Sequence, residues 1–219
     1  MVNTQTVRSP SESIFSLQGQ NLACIRNDLT CFENLNISLN SGELLQVEGP
    51  NGSGKTSLLR ILCGLSLAAE GRVLWQDHDI QKNRSDYYAN MLFIGHSNGV
   101  KKNLTCAENL RLGVLHGDAV DTPAILQALA DIGLEDLDEE YAGRLSAGQQ
   151  RRLALARLHL STAPLWILDE PFTALDYLGR EKLEQMFDRH CAEGGMIVLT
   201  THHALNLKNS RIQHLKIGA

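Results

Sequence analysis

No apolar stretch in the 219-residue chain approaches the ~18 residues a helix needs to cross a bilayer. The opening residues also lack the apolar core of a signal peptide. The chain is therefore expected to be soluble, and any membrane step falls to another polypeptide. Basic side chains are not in excess: 20 Lys and Arg stand against 25 Asp and Glu, a net charge of −5. That balance argues against a surface that grips nucleic acid without regard to sequence. The five cysteines (Cys24, Cys31, Cys63, Cys106, Cys191) are odd in number and scattered, and no pair has zinc-ligand spacing. They read as reduced thiols, not as a disulfide framework or a metal site. Neither an internal repeat nor a low-complexity tract is present. What remains is ordinary globular composition, 43% hydrophobic and 21% charged. It suffices for one domain, or one domain with a small inserted lobe.

Residues 1–13 are polar, carry Pro10 and show no periodicity; a flexible N-terminal extension is expected there, with a single domain over 14–219. Three short apolar runs follow: Leu44-Leu45-Gln46-Val47, Leu165-Trp166-Ile167-Leu168 and Met196-Ile197-Val198-Leu199-Thr200. Each is largely apolar on both faces and too short for a buried helix, the pattern of strands in a parallel sheet covered by helices. Between them the period turns helical. Thr56 to Cys63 predicts a short helix closed by Gly64. Asp121-Thr122-Pro123 predicts a capped start, and Ile125, Leu126, Leu129 and Ile132 recur at helical spacing before Gly133. A mostly helical lobe is expected over about 103–144, inserted into an α/β core.

The first apolar run leads into Gly49-Pro50-Asn51-Gly52-Ser53-Gly54-Lys55-Thr56, then Ser57 and a helix. This fits the phosphate-binding pattern G-x-x-x-x-G-K-[ST] in its strand–loop–helix setting. Glycines let successive backbone N–H groups turn inward on phosphate oxygens, and the following helix N-terminus adds its dipole. Lys55 supplies a point charge to the β- and γ-phosphates, and Thr56 a hydroxyl for Mg²⁺. The loop alone predicts binding of a nucleoside triphosphate.

The second run ends in Asp169-Glu170 and the third in Thr201-His202-His203. Asp169 at a strand end beside a phosphate loop suits Mg²⁺ coordination, and Glu170 suits polarisation of a water for attack on the γ-phosphate. His202 is placed to reach that phosphate or that water. Ligands of open α/β sheets gather at the carboxyl ends of strands, so the three strand ends are expected to converge.

Leu145-Ser146-Ala147-Gly148-Gln149 reads generically as a capped helix start; with Gln150-Arg151-Arg152, and set before a helix expected at Leu153 to Leu160, the string resembles the signature motif of the ATP-binding-cassette ATPases. Ala147 stands where that family more often has Gly. With the phosphate loop, Asp169-Glu170, Thr173-Ala174-Leu175-Asp176 and His202, the resemblance spans about Leu17 to Leu215. It implies a P-loop NTPase of the cassette fold: a mixed-sheet α/β core, an inserted helical lobe and an N-terminal antiparallel β subdomain. It also implies that Ser146, Gly148 and Gln149 close over ATP held by a second copy, with Asp176 linking the two sites. The lid position that holds glutamine in the family is His96 here, which can face Mg²⁺ and water. No aromatic residue stands where the family stacks adenine; Arg26 sits about there, with Ile25 and Phe32 as alternatives.

The strings around Trp75, Ile94-Gly95-His96, the signature, Leu165 to Ala174 and Thr200-Thr201-His202 are similar to one subfamily, the haem-exporter ATPase of bacterial cytochrome c maturation. That resemblance implies an ATP- and Mg²⁺-dependent homodimer lying peripherally on the cytoplasmic face of the inner membrane. Its implied partners are an integral membrane transporter subunit and further cytochrome c maturation membrane proteins, with no nucleic acid. None of the eight histidines reads as a haem ligand. Exporters of another small substrate and soluble cassette ATPases are the alternatives. A P-loop kinase is disfavoured, because the signature supplies a second anion site rather than an acceptor site.

Overall fold

The three apolar runs become three adjacent strands. In the computed structural model, which describes residues 15–26, 29–113, 120–208 and 210–218, they fall in β3 (Glu43–Glu48), β7 (Leu165–Asp169) and β8 (Met196–Thr200). With β6 (Met91–Ile94) and β9 (Arg211–Lys216) they form a five-stranded parallel sheet, ordered β6-β7-β8-β3-β9. Side chains alternate across it. Leu45, Val47, Leu165, Ile167, Met196 and Val198 join one apolar core, whereas Leu44, Trp166, Leu168, Ile197 and Leu199 join another. Both faces are covered, which is why these strands carry no polar face.

A second sheet of four antiparallel strands covers the first core. It comprises β1 (Ser16–Arg26), β2 (Leu29–Asn40), β4 (Glu70–Trp75) and β5 (His78–Asp79), ordered β2-β1-β4-β5. The first helix, α1 (Lys55–Leu62), packs Leu58, Leu59, Ile61 and Leu62 between the two sheets. It ends as expected, with Gly64 at φ +68°. A short α2 (Arg84–Ala89) leads into β6.

Helices α3 (Cys106–Gly113) and α4 (Thr122–Asp131), with a 3-10 turn at Ala142–Arg144, occupy the segment read as a helical lobe. Asp121 caps α4 by accepting from the Ala124 amide at 2.9 Å, and Pro123 sits in its first turn. Residues 1–13, read as a flexible extension, lie outside the described residues, as do 114–119 within the lobe.

Helix α5 (Ala147–Leu160) begins six residues earlier than expected. Ser146 and Gln149 form a capping box that starts the helix inside the signature string itself. It is buried on two sides: Ala154, Leu155 and Leu158 face the sheet, while Leu153 and Ala156 face the lobe. Helix α6 (Tyr177–Ala192) closes the same face through Leu183, Phe187 and Cys191. Phe187 meets Trp166 and Phe172 edge-on, and the His190 ring stacks on Trp166 at 3.7 Å.

Burial pulls the His190 pKa down from 6.5 to about 4. Folding therefore disfavours its charged form, and the unfolded chain takes up the proton first. Stability is complete above pH ~6.5 and falls by up to about 3 kcal/mol as the pH drops toward 4. Burial lowers His159 as well, adding a loss of the same sign. Urea denaturation at pH 7 and pH 4.5 is expected to show a smaller pH difference for His190→Gln than for the parent.

Candidate active site

The loop that leaves β3 turns on glycines: Gly52 and Gly54 have φ +86° and +97°, a region that favours residues without a Cβ. The Lys55 ammonium lies along this loop, donating to the Gly49 carbonyl at 2.7 Å and the Pro50 carbonyl at 3.0 Å. Gly49 packs so closely on the Ile217 carbonyl and Ser53 that a Cβ would not fit. Gly49, Pro50 and Ser53 thus frame the loop. Asn51, Gly52, Gly54, Lys55, Thr56 and Ser57 line a cleft of about 450 Å³.

The other strand ends meet the same cleft. Asp169 is only 3% exposed, and each of its carboxylate oxygens accepts from a threonine hydroxyl. Thr56 Oγ1 donates at 2.9 Å and Thr200 Oγ1 at 2.6 Å. A buried carboxylate needs such partners, since an unpaired charge there would cost several kcal/mol. Thr56 belongs to α1 and Thr200 to the strand between β7 and β3, so one carboxylate ties three elements.

Glu170 follows at φ +51°, a strained backbone for a residue with a side chain. Its amide donates to the Thr200 carbonyl at 3.2 Å and to Thr200 Oγ1 at 3.0 Å. Its own carbonyl accepts from Arg151 at 2.9 Å. His202 Nε2 lies 3.6 Å from Glu170 Oε1, an ion-pair separation too long for a hydrogen bond. His96 and Arg26 complete the wall of the cleft. Phe32, by contrast, is buried in the core beneath Gly54, and Ile25 is 58% exposed outside the cleft lining. His203 turns away, against Glu184 at 3.1 Å and the Phe172 ring.

Ser146, Gly148, Gln149 and Asp176 do not line this cleft. Ser146 Oγ accepts from the Gln149 amide at 3.2 Å while Gln149 Oε1 accepts from the Ser146 amide at 2.9 Å. Ser146 is exposed, so its O–H and the α5 N-terminus face outward. Asp176 caps α6 through Gly179 at 2.8 Å and lines a separate groove between α6 and the α4–α5 pair.

Two residues of this arrangement were not singled out from the sequence. Thr200 reads there as the last position of an apolar strand, and Arg151 as a charged member of the signature. Only the register of β8 beside β7, which pairs Thr200 with Asp169, reveals the first. Only the burial of α5 reveals the second.

The chain matches the ABC transporter family over residues 32–173. It is 47% identical over 203 residues to the cytochrome c biogenesis ATP-binding export protein CcmA of Vibrio cholerae, covering 92% of this chain and 98% of that one. The protein of the same name from Methylococcus capsulatus is 50% identical over 193 residues, 88% of this chain and 93% of that one. Among solved structures, a dimeric bacterial ABC transporter cassette superposes with a TM-score of 0.78 at 25% identity, over 91% of this chain and 94% of that one. A putative ABC transporter ATP-binding protein from Pyrococcus furiosus shares the fold, with a TM-score of 0.77 at 24% identity over 91% and 97% of the two chains.

Thr200→Val keeps the shape of the side chain while removing the donor to Asp169 and the acceptor for the Glu170 amide. The loss is expected to cost about 1–3 kcal/mol of stability, measured by urea denaturation, together with a fall in phosphate-releasing activity.

Proposed function

The chain belongs to the ABC transporter family, among the cytochrome c biogenesis ATP-binding export proteins, and on that premise we propose how its residues bind and hydrolyse ATP to drive export. The observation that carries the reading is the meeting of three strand ends in one cleft, with Thr56 2.9 Å from Asp169 and His202 3.6 Å from Glu170. The loop Gly49 to Ser57 takes the triphosphate on its backbone N–H groups and on Lys55, which leaves the Gly49 and Pro50 carbonyls for the β- and γ-phosphates. Arg26 lays its guanidinium plane on the base.

Thr56 and Asp169 are hard oxygen donors set side by side, a donor set suited to Mg²⁺ beside phosphate oxygens. They hold the ion, with His96 facing it from the lid. Mg²⁺, when bound, offsets charge that builds on the phosphate oxygens. Glu170 accepts the proton of the water that attacks the γ-phosphate in line with the departing ADP oxygen. His202 steadies the Glu170 carboxylate and the γ-phosphate.

Ser146, Gly148 and Gln149 present a helix N-terminus to solvent, away from their own cleft. They complete the cleft of a second copy, Asp176 joins the two sites, and ATP holds the homodimer closed until phosphate leaves. Among the described residues no helix is long and apolar enough to cross a membrane. Kinship with the cytochrome c biogenesis ATP-binding export proteins supports a motor that works through an integral membrane subunit and its cytochrome c maturation partners, peripherally on the cytoplasmic face of the inner membrane, in release of haem-loaded chaperone. The segment after the lid is the docking surface. Buried Asn109 accepts from the Lys101 amide at 2.7 Å and donates to its carbonyl at 3.0 Å, and the side chains of Lys101 and Lys102 are exposed.

Glu170→Gln is expected to retain ATP binding, lose about 10²-fold or more of turnover, and accumulate as a dimer on light scattering. Ordinary turnover in that variant removes Glu170 as the base. Reversing both charges with Lys101→Glu and Lys102→Glu is expected to weaken co-purification with the membrane subunit while ATP binding stays unchanged. Intact assembly rejects this docking surface.

A further inference from the structure

Arg151 is 6% exposed, and among the described residues its guanidinium reaches no carboxylate within hydrogen-bond distance. Nη1 donates to the Gly95 carbonyl at 2.8 Å and to Asn98 Oδ1 at 3.2 Å. Nη2 donates to the Asp169 carbonyl at 2.7 Å and the Glu170 carbonyl at 2.9 Å. Its buried Nε has no partner. One nitrogen therefore holds the lid loop on both sides of His96, and the other holds the backbone of the acid pair. The two anchor points lie at the exits of the neighbouring parallel strands β6 and β7.

Burying a guanidinium is costly, and an apolar side chain of similar size would often stabilise such a site better. Cohesion alone is thus a poor reason for this residue. Its place on α5 offers another. Arg151 lies five residues beyond Ser146, about 7–8 Å along a rigid helix. The planar fork has no freedom to follow one anchor without the other. We propose that Arg151 is a positioning residue that ties the lid loop and the Asp169–Glu170 backbone to the helix carrying Ser146, so that contact made at Ser146 sets the attack geometry at the chain's own Glu170. The proposal rests on the reading of Glu170 as base and of Ser146 as the contact to a second copy's nucleotide. Arg151 does not line the phosphate cleft. It acts through the strained φ of Glu170 and through the lid.

The test uses the full chain assembled with its membrane subunit. ATP turnover and binding of a fluorescent ATP analogue are compared for the parent, Arg151→Met, Arg151→Lys and Asn98→Ala. Arg151→Met is expected to lower kcat by about tenfold or more, as small misplacements of reacting groups do. KM and analogue affinity stay within about twofold. Arg151→Lys retains the charge without the fork and recovers part of kcat. Asn98→Ala removes one of the two bonds of the lid arm, on a half-exposed loop, and leaves the bond to the Gly95 carbonyl, so it preserves the fold even if Arg151→Met does not. It lowers kcat several-fold, and combined with Arg151→Met it costs less than the product of the two effects. Parental kcat in both Arg151→Lys and Asn98→Ala overturns the proposal. So does a kcat that falls only in step with nucleotide affinity and thermal stability. In a Glu170→Gln background, Arg151→Met still forms the ATP-trapped dimer. Loss of trapping by Glu170→Gln alone would instead fault the base and dimer reading on which this proposal stands.

Discussion

One buried carboxylate organises the site. Asp169 accepts one hydroxyl from the helix after the phosphate loop and another from the strand beside its own, so neither the loop nor the strand exits can shift without breaking a charged hydrogen bond in a dry setting. The strand order β7-β8-β3 makes this possible. It sets Thr200 between the acid pair and the loop, where its hydroxyl gives to Asp169 and takes from Glu170. The left-handed backbone of Glu170 persists because it is held from both sides, by Thr200 at the amide and Arg151 at the carbonyl.

Local chemistry explains what was legible in the sequence. The phosphate loop, the acid pair after an apolar run and the Asp121 cap each confine their cause to a few neighbouring residues, so their pattern survives in one dimension. The strands of the second sheet do not read this way. Strand β1 pairs on both sides with interrupted register and carries irregularities near Gly19, Leu22 and Cys24, which breaks the period-two pattern that marks a strand. Strand β9 is an edge whose residues are partly exposed throughout, so no apolar run announces it. The start of α5 was legible as a capped helix start within Leu145 to Gln149, which the Ser146–Gln149 capping box supplies. What did not read was the burial of the charged Arg151, which takes three backbone carbonyls and the Asn98 side chain as partners.

Arg26 and Arg151 differ in how far their surroundings extend along the chain. Arg26 lines the cleft, whereas Phe32 is buried and Ile25 is exposed outside the cleft lining. Arg151 requires knowledge of three elements at once: the lid loop, the β7 exit and the helix that brings the guanidinium between them. Its pKa is lowered by burial, against the pull of the Asp169 and Glu170 carboxylates, yet a guanidinium remains charged under any ordinary condition. Helix α5 and the sheet therefore share a permanent cation whose donors go to three backbone carbonyls and one side-chain amide, a link suited to the positioning role proposed above.

Charge also bears on why closure depends on nucleotide. Each chain carries a net charge of −5, so two copies repel as their faces come within about a Debye length, ~8 Å at physiological salt. In the homodimer proposed above, each cleft meets that repulsion with cationic or dipolar donors: Lys55 and Arg26 on its own side, and the outward N-terminus of α5 from the other copy. These donors are of little use to one another. They become attractive across the interface only when a polyanionic phosphate stands between them. On the reading proposed above, such a dimer is stable with ATP and opens once the γ-phosphate has gone.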